Sequence, residues 1–283
     1  MASITNREAA QAPGWVIYDF GMNNGDDVAY YLLKADRVVG VDANPELCRE
    51  VRTRFAGEIA SGRVTVLNVA LAERETAAPI TFYVHKTSHV LSRLPEPPAD
   101  LIDQFTPIQV PCRTPASIVR EFGDPLYVKI DVEGFDSQVL QNLFAAGVFP
   151  PEISAESHSV QVFACLVANG YDVFNLVEGS TVAHEYGNAT IATLNGPMPF
   201  RFKEDSAGPF GEDIREHWED ANTFFRTLAI SGLGWRDIHA SRLMPVAPAA
   251  WKRAIAVRRL LGLLRRAEVS LKARTIGRLK RRS

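Results

Sequence analysis

Short apolar runs, each ending in a polar or glycine-containing turn and followed by helical spacing, recur along most of the chain. Residues 15–18, with Trp15, Val16, Ile17 and Tyr18, form the first run and have strong strand preference. It ends at Asp19, passes through Gly21, Asn23, Asn24 and Gly25, and a helix is predicted at once over 26–34. A second strand at 37–41 ends in Asp42. Asn44 as N-cap and Pro45 in the first turn then start a helix that runs to about residue 56. Strands follow at 63–69 and 80–84, and Thr114-Pro115 opens a helix to residue 122. The buried strand Tyr127-Val-Lys-Ile-Asp131 leads to a helix at 136–146 stopped by Gly147. A strand at 153–155, a helix at 160–168 closed by Asn169-Gly170, and a strand at 171–177 come next. A helix at 214–228 and a strand at 235–239 finish the body. This alternation predicts an α/β protein with a doubly wound, mainly parallel sheet and helices on both faces.

Two stretches break the rhythm. Residues 81–112 include Pro95, Pro97, Pro98 and Pro107, and a long interrupted segment inside a compact domain is usually functional or mobile. It is expected to face substrate. His85, Ser88 and His89 lie there, and substrate contact and plain solvent exposure both remain open for them. Residues 178–240 read as a loop-rich C-terminal elaboration. The predicted organisation is a lead-in at 1–14, one domain at 15–245 and a tail at 246–283.

Composition supports a globular domain with a sizeable core: of 283 residues, 46% are hydrophobic and 23% charged. No run of about eighteen apolar residues exists, so no membrane-spanning helix is predicted. Residues 1–14 lack the apolar core of a secretory signal. Cys48, Cys112 and Cys165 are odd in number, far apart and not in metal-ligand spacing. They read as reduced, packed thiols of a cytoplasmic protein. The net charge of −2 hides an asymmetry. Residues 252–283 carry twelve Lys and Arg against Glu268, about +11, so residues 1–251 carry about −13. Such a body is a poor nucleic-acid binder. At 100° per residue, Val257, Leu260, Leu261, Leu263, Leu264 and Leu271 fall on one arc of the tail. Arg258, Arg259, Arg265, Arg266 and Lys272 fall on the other. A basic amphipathic helix of this kind lies on the inner face of an anionic membrane, or docks its leucines on the body or on a second copy.

The strand ends carry the chemistry. A strand, a tight glycine turn and a helix N-terminus present backbone N–H groups to a ligand. Asp42 follows the first glycine by about twenty residues, the spacing at which a carboxylate meets a ribose diol. Asn68 can pair with an adenine edge or cap a turn. Asp131 and Glu133 before Gly134, and Glu156 with His158, end two further strands. These acids point at one crevice holding a nucleotide-like ligand, although glycine turns after strands also occur where nothing binds.

Asp19-Phe-Gly21-Met-Asn23-Asn-Gly25, Asp42-Ala43-Asn44-Pro45, Asn68-Val-Ala70-Leu71 and Lys129-Ile-Asp131-Val-Glu133-Gly134 together resemble the FkbM-type family of S-adenosylmethionine-dependent methyltransferases. The resemblance spans roughly residues 14–180, and the Lys-Ile-Asp-Val-Glu-Gly run is its most distinctive piece. Two departures stand out: Asp42 where the family more often has Glu, and Met22-Asn23-Asn24 where a small residue usually follows the glycine. The resemblance implies a class I methyltransferase (Rossmann-like) fold, with a seven-stranded sheet and an antiparallel last strand. It also implies O-methylation of sugars, polyketides or related natural products, so a small-molecule or glycan acceptor. By position, Asp19, Gly21, Asn23, Asn24 and Gly25 would wrap the methionine moiety. Asp42 would hold the ribose and Asn68 the adenine surroundings, Ala43, Val69, Ala70 and Asp131 would also contact the cofactor, and Asp131 and Glu133 would sit near the transferred methyl.

Displacement at a sulfonium depends on holding the attacking lone pair about 3 Å from the methyl carbon, and a base adds about 10²–10⁴-fold. The candidates are Asp131, Glu133, Glu156 and His158, whose ordinary pKa lies near neutral. Glu133 and Glu156, with His85, Ser88 and His89, are the expected substrate contacts. Asp131, Glu133 and Glu156 could offer oxygens to Mg²⁺, but no spacing demands a metal and none is predicted. Two other functions fit parts of the pattern. One is a nicotinamide-dependent oxidoreductase, disfavoured because Gly21-Met-Asn-Asn-Gly25 is not G-x-G-x-x-G and Asp19 would face the pyrophosphate. The other is a non-catalytic binding module, against which the acids at three strand ends argue.

Overall fold

The computed structural model describes residues 14–94, 96–204 and 206–246. The expected basic helix at 252–283, and all of the lead-in except Gly14, lie outside the described residues. In chain order the strands are β1 (Val16–Phe20), β2 (Arg37–Asp42), β3 (Val64–Asn68), β4 (Ala70–Leu71), β5 (Ile80–His85), β6 (Phe105–Val110), β7 (Cys112–Arg113), β8 (Pro125–Ile130), β9 (Glu152–Ser157), β10 (Val173–Glu178), β11 (Ala189–Ile191), β12 (Met198–Phe200), β13 (Glu219–Asp220) and β14 (Gly234–Ser241). The α-helices are α1 (Val28–Lys34), α2 (Pro45–Arg54), α3 (Ala56–Ala60), α4 (Pro115–Phe122), α5 (Asp136–Ala145), α6 (Val160–Ala168), α7 (Val182–Glu185) and α8 (Ala221–Ser231). No described helix is long and apolar enough to cross a membrane.

Eight strands form one sheet in the order β13-β10-β14-β9-β8-β1-β2-β3. The five from β3 to β9 run parallel, and β14 lies antiparallel between β9 and β10. The sheet has eight strands where seven are expected: β14 is antiparallel, and the two-residue β13 is added on the edge of β10. From β1 the chain steps outward to β2 and β3, then returns to β8 on the other side of β1. Strand order therefore reverses between β1 and β8, and open α/β sheets place ligands at the carboxyl ends of such a reversal.

Parallel strands covered on both faces read as near-continuous apolar runs, and all five residues of β1 are buried. Tyr18, Phe20, Val128, Ile130 and Ile153 face Ile118 of α4, Leu140 and Leu143 of α5, Leu166 of α6 and Phe224 of α8. The opposite face carries Ile17, Val38 and Tyr127 under Tyr30 and Tyr31 of α1, Val51 of α2, and Phe202, Phe210 and Trp218 from the elaboration. Tyr127 and Phe210 stack with centroids 4.0 Å apart. The β5–β6 hairpin is the core of the expected substrate-facing segment, and it packs Phe82 and Val110 on Ala70 and Ala43. The three thiols are unpaired, with Cys48 and Cys112 buried.

Helix starts follow their caps. Asn44, Thr114, Ser159 and Asp220 each accept a backbone N–H of the helix they open. Asp220 corrects the predicted helix at 214–228, which begins only at Ala221. The first helix also starts late, at Val28, because Asp26 is drawn off by Arg54 and Lys203 and Asp27 by Ser206 and the Ala207 N–H. The second breaks at Phe55, whose φ of −111° and ψ of 31° leave the helical region.

One buried polar knot fastens the elaboration to α1. Asp213 Oδ2 accepts from Lys34 Nζ at 2.5 Å and Tyr30 Oη at 2.7 Å, and Oδ1 accepts from the Ala192 N–H at 2.7 Å. Lys34 and Asp213 side chains are 1% and 3% exposed. Removing one partner of such a pair strands a buried charge. Lys34→Met should therefore cost about 3–5 kcal/mol, lowering Tm by on the order of 10 °C in a domain of this size. Paired urea and thermal melts check this, and an unchanged Tm would show that Tyr30 and Ala192 suffice for Asp213.

Candidate active site

The carboxyl ends of the central strands open into one cavity of about 460 Å³. Its walls include Gly21, Asn23, Asp42 and Val69 on one side and Asp131, Glu133, Glu156 and Trp235 on the other.

The turn after β1 shapes the first side. The Gly21 and Met22 N–H groups both donate to the Val41 carbonyl, at 2.9 and 3.0 Å. Gly21 has φ +88°, and a Cβ there would fall onto the Asp131 carbonyl oxygen. Asn23 sits at φ +50°, a left-handed conformation that Asn tolerates better than most residues. Its N–H donates to Asp42 Oδ2 at 2.9 Å, while the Asn44 N–H donates to Oδ1 at 2.7 Å. Each Asp42 oxygen thus keeps a lone pair for a further donor. Burial lifts the Asp42 carboxyl to about 6 against those two N–H groups.

Beneath the turn, Asp19 is 1% exposed and its Oδ1 has no partner among the described residues. Burial raises its pKa to about 7, opposed by Lys129. Lys129 is itself buried and lies 3.0 Å from Asp131 Oδ2. Burial acts downward on its ammonium, yet Asp131, Asp19, Asp237 and Asp27 hold it well above the usual lysine range. Burial likewise acts upward on Asp131, but Lys129, with help from Glu156 and His158, keeps that carboxyl below its ordinary value. An orphan oxygen on Asp19 and another on Asn23 flank the turn. Buried acceptors of this kind call for a donor or a cation, which is the fit an ammonium-bearing cofactor provides.

The far side holds a second cluster. Glu133 occupies φ +52° ahead of Gly134 at +89°, a strained turn of the sort found at functional sites. The Gly134 N–H donates to Asp136 Oδ2 at 3.1 Å, so Asp136 ties the loop to α5. Burial, with the charges of Asp131 and Glu156, lifts Glu133 to about 7. His158 Nε2 lies 2.7 Å from Glu156 Oε2 and 3.9 Å from Glu133 Oε2. The Glu156 hydrogen bond raises the imidazole to about 9, so His158 is a cation at neutral pH. One ligand atom each of Asp131, Glu156 and His158 lies within 4.8 Å of the others. A divalent ion could share them, although Asp131 and Glu156 already have Lys129 and His158 as counter-charges.

The sequence-predicted residues divide into three groups. Gly21, Asn23, Asp42, Ala43, Val69, Ala70, His89, Asp131, Glu133 and Glu156 line the cavity. Asp19 and His158 adjoin it through Lys129 and Glu156. The remainder serve the scaffold. Asn68 donates its amide to the Asp42 and Ala43 carbonyls, both at 3.0 Å, which is the turn-capping alternative. Asn24 is held by Asp26, and a Cβ on Gly25 would meet Val51 of α2. His85 packs edge-on against Phe105 and accepts the Ser88 N–H at 3.1 Å, closing the hairpin. Sequence reasoning gave no site role to Lys129, Asp136, Asp237 or Trp235. A charged residue two before Asp131 on a buried strand shares its face, which was the available signal for Lys129.

The family model described as the methyltransferase FkbM domain matches residues 19–165. Among solved structures, the chain is similar to methyltransferase FkbM from Methylobacillus flagellatus KT. They share 15% identity and a TM-score of 0.37, over 60% of this chain and 42% of that one. The match thus spans about two-fifths of that relative's length. Precorrin 8w decarboxylase of Methanobacterium thermoautotrophicum aligns over 66% of this chain and 77% of its own, at 14% identity and TM-score 0.34. A spermidine synthase in complex with the transition-state analogue AdoDATO aligns over 82% and 55%, at 8% identity and TM-score 0.37. No curated protein sequence matches.

The Asp19 carboxyl has a stability signature. Its pKa climbs from 3.8 to about 7 on folding, so the native state binds more protons and loses stability as pH rises through that window. Asp19→Asn removes the penalty. At pH 8 the variant's Tm should rise by at least about 3 °C, the shift that 1 kcal/mol produces in a domain of this size. Near pH 4 the two proteins should melt together. Equal Tm values at both pH values would show that Asp19 is already ionised and matched.

Proposed function

Because the chain belongs to the FkbM methyltransferase family, we propose that it methylates a hydroxyl group of a saccharide, glycolipid or natural product. Membership in that family carries S-adenosylmethionine as the cofactor. When bound, it supplies a methyl carbon on a sulfonium, open to in-line attack by a lone pair. Asp42 would accept the ribose hydroxyls on its two remaining lone pairs. Asp19 would balance the methionine ammonium, beside the backbone of Gly21 and Asn23. Ala43, Val69 and Ala70 would flank the adenine.

Glu133 carries the assignment to a hydroxyl. Its carboxyl lies on the cavity wall with a pKa of about 7, so it is substantially ionised at working pH and still basic enough to accept a proton. It would take the hydroxyl proton as the C–O bond forms and the methyl C–S bond breaks, with the electron pair leaving on the sulfur of S-adenosylhomocysteine. His158, held charged by Glu156 and 3.9 Å from Glu133, steadies the glutamate until that moment. The histidine therefore acts as a positioning cation here, and the base role moves to Glu133. Asp131, fixed by Lys129 at 3.0 Å, keeps the cavity floor anionic beneath the developing charge.

A thermal-shift titration tests the cofactor. S-adenosylmethionine or S-adenosylhomocysteine at a hundred times Kd should stabilise the fold by about 2.7 kcal/mol, and NAD should leave Tm unchanged. Stabilisation by NAD alone would overturn the reading. The base is tested with a labelled methyl donor and an acceptor library. The kcat/KM should rise with pH as Glu133 ionises near 7 and fall above about 9 as His158 loses its proton. Glu133→Gln should lower it by about 10²–10⁴-fold and abolish the limb near 7, with cofactor affinity retained. A wild-type profile flat between those values would remove Glu133 from the reaction.

A further inference from the structure

Trp235 lines the cavity yet stays 48% exposed, an unusual position for the largest apolar side chain. Three features put it there. The first is a register break in β14: Gly234 pairs with Ser157 and Asp237 with Glu156, so Trp235 and Arg236 form a bulge opposite β9. Bulges re-aim side chains and are frequent beside active sites. The second is Gly179, just after β10. A Cβ on that glycine would collide with Nε1 of Trp235 and lie 2.6 Å from Cδ1 and Cε2. The indole is therefore seated directly on bare backbone, and Gly179 is a glycine to make room for it. The third is the neighbouring ion pair of Arg236 Nε with Glu178 Oε2, at 2.8 Å, which pins the bulge to β10. An exposed tryptophan has been made rigid.

Its place in the sheet says what it faces. From β2, which carries Asp42, to β14 is four strand steps across β1, β8 and β9, about 19 Å at about 4.8 Å per step. Glu133 and Glu156 lie between. The ring thus stands beyond the catalytic acids, on the side away from the nucleoside, where the acceptor enters.

We propose that Trp235 is the stacking platform for the methyl acceptor, and that this acceptor carries a ring with a flat apolar face, pyranose or aromatic, beside the reacting hydroxyl. The inference rests on the methyltransferase reading and narrows its substrate class. A pre-ordered indole gains contact area on a ring face without losing rotamer freedom. An acyclic polyol offers no matching face.

The test uses the full chain loaded with S-adenosylhomocysteine, whose binding is measured separately by calorimetry. Tryptophan emission, excited at the red edge of the indole band, is titrated with methyl β-D-glucopyranoside, with salicyl alcohol and with glycerol. Saturable quenching is expected from at least one ring-bearing probe and not from glycerol. It should vanish in Trp235→Phe, in which Trp15, Trp218 and Trp251 remain as the blank. The probe that responds tells the two ring types apart. Gly179→Ala, which keeps the tryptophan but displaces its ring, should weaken that probe about 3- to 10-fold, the range of one aromatic contact, with S-adenosylhomocysteine affinity and Tm unchanged. No quenching by either ring probe, quenching equal to that by glycerol, or quenching that survives in Trp235→Phe overturns the proposal. Failure of S-adenosylhomocysteine to bind would instead remove the methyltransferase reading.

Discussion

A single buried ammonium holds the catalytic end of the sheet together. Lys129 stands among Asp19 of β1, Asp27 at the start of α1, Asp131 just past β8 and Asp237 of β14, and without it these four carboxylates would be forced to protonate or separate. Its strand position dictates the arrangement. Asp19 is its register partner on β1, Asp131 follows two residues later on the same face, and Asp237 belongs to the strand beyond β9. Burial raises the Asp19 pKa, and one ammonium shared among four acids offsets it only in part, so Asp19 also keeps an orphan oxygen. The folded chain is thus short of positive charge at the place where a sulfonium and an ammonium would arrive.

That deficit also sets a division of labour along the cavity. On the β1–β2 side, Asp42 is tied to backbone N–H groups through both oxygens and has little freedom. On the β8–β9 side, Glu133 sits on a strained turn with its proton affinity near neutral, and His158 is locked into a charged pair. Carboxylate oxygens fixed by backbone N–H groups and a carboxyl with near-neutral proton affinity therefore occupy opposite ends of one space, with Asp131 between them.

Strand and helix periodicity was enough to predict the doubly wound sheet, because buried parallel strands such as β1 and β8 have no polar face to confuse the pattern. Acids at strand ends were legible for the same reason: Asp42, Asp131 and Glu156 interrupt apolar runs at their last residues. Less legible was everything that depends on neighbours distant in sequence. Asn68 reads equally as a base-pairing or a capping amide until the carbonyls of Asp42 and Ala43 are in place. His158 reads as a neutral-range base until Glu156 is found 2.7 Å away. The predicted helix at 214–228 failed because Asp220 is a stronger start signal than the residues before it. His85 and Ser88 looked like substrate contacts because a proline-rich segment does not reveal which of its side chains close the hairpin.

The position of β14 has a consequence for how the protein is made. It is the last of the described strands in sequence, yet it lies inside the sheet between β9 and β10 rather than on an edge. While the chain is being synthesised, those two strands must wait with open edges until residues 234–241 emerge, and open edges recruit other chains. Glu156 and Asp237 become neighbours only when that gap closes. A polypeptide that stops short of Ser241 should therefore be a sticky, unfinished sheet rather than a smaller working enzyme.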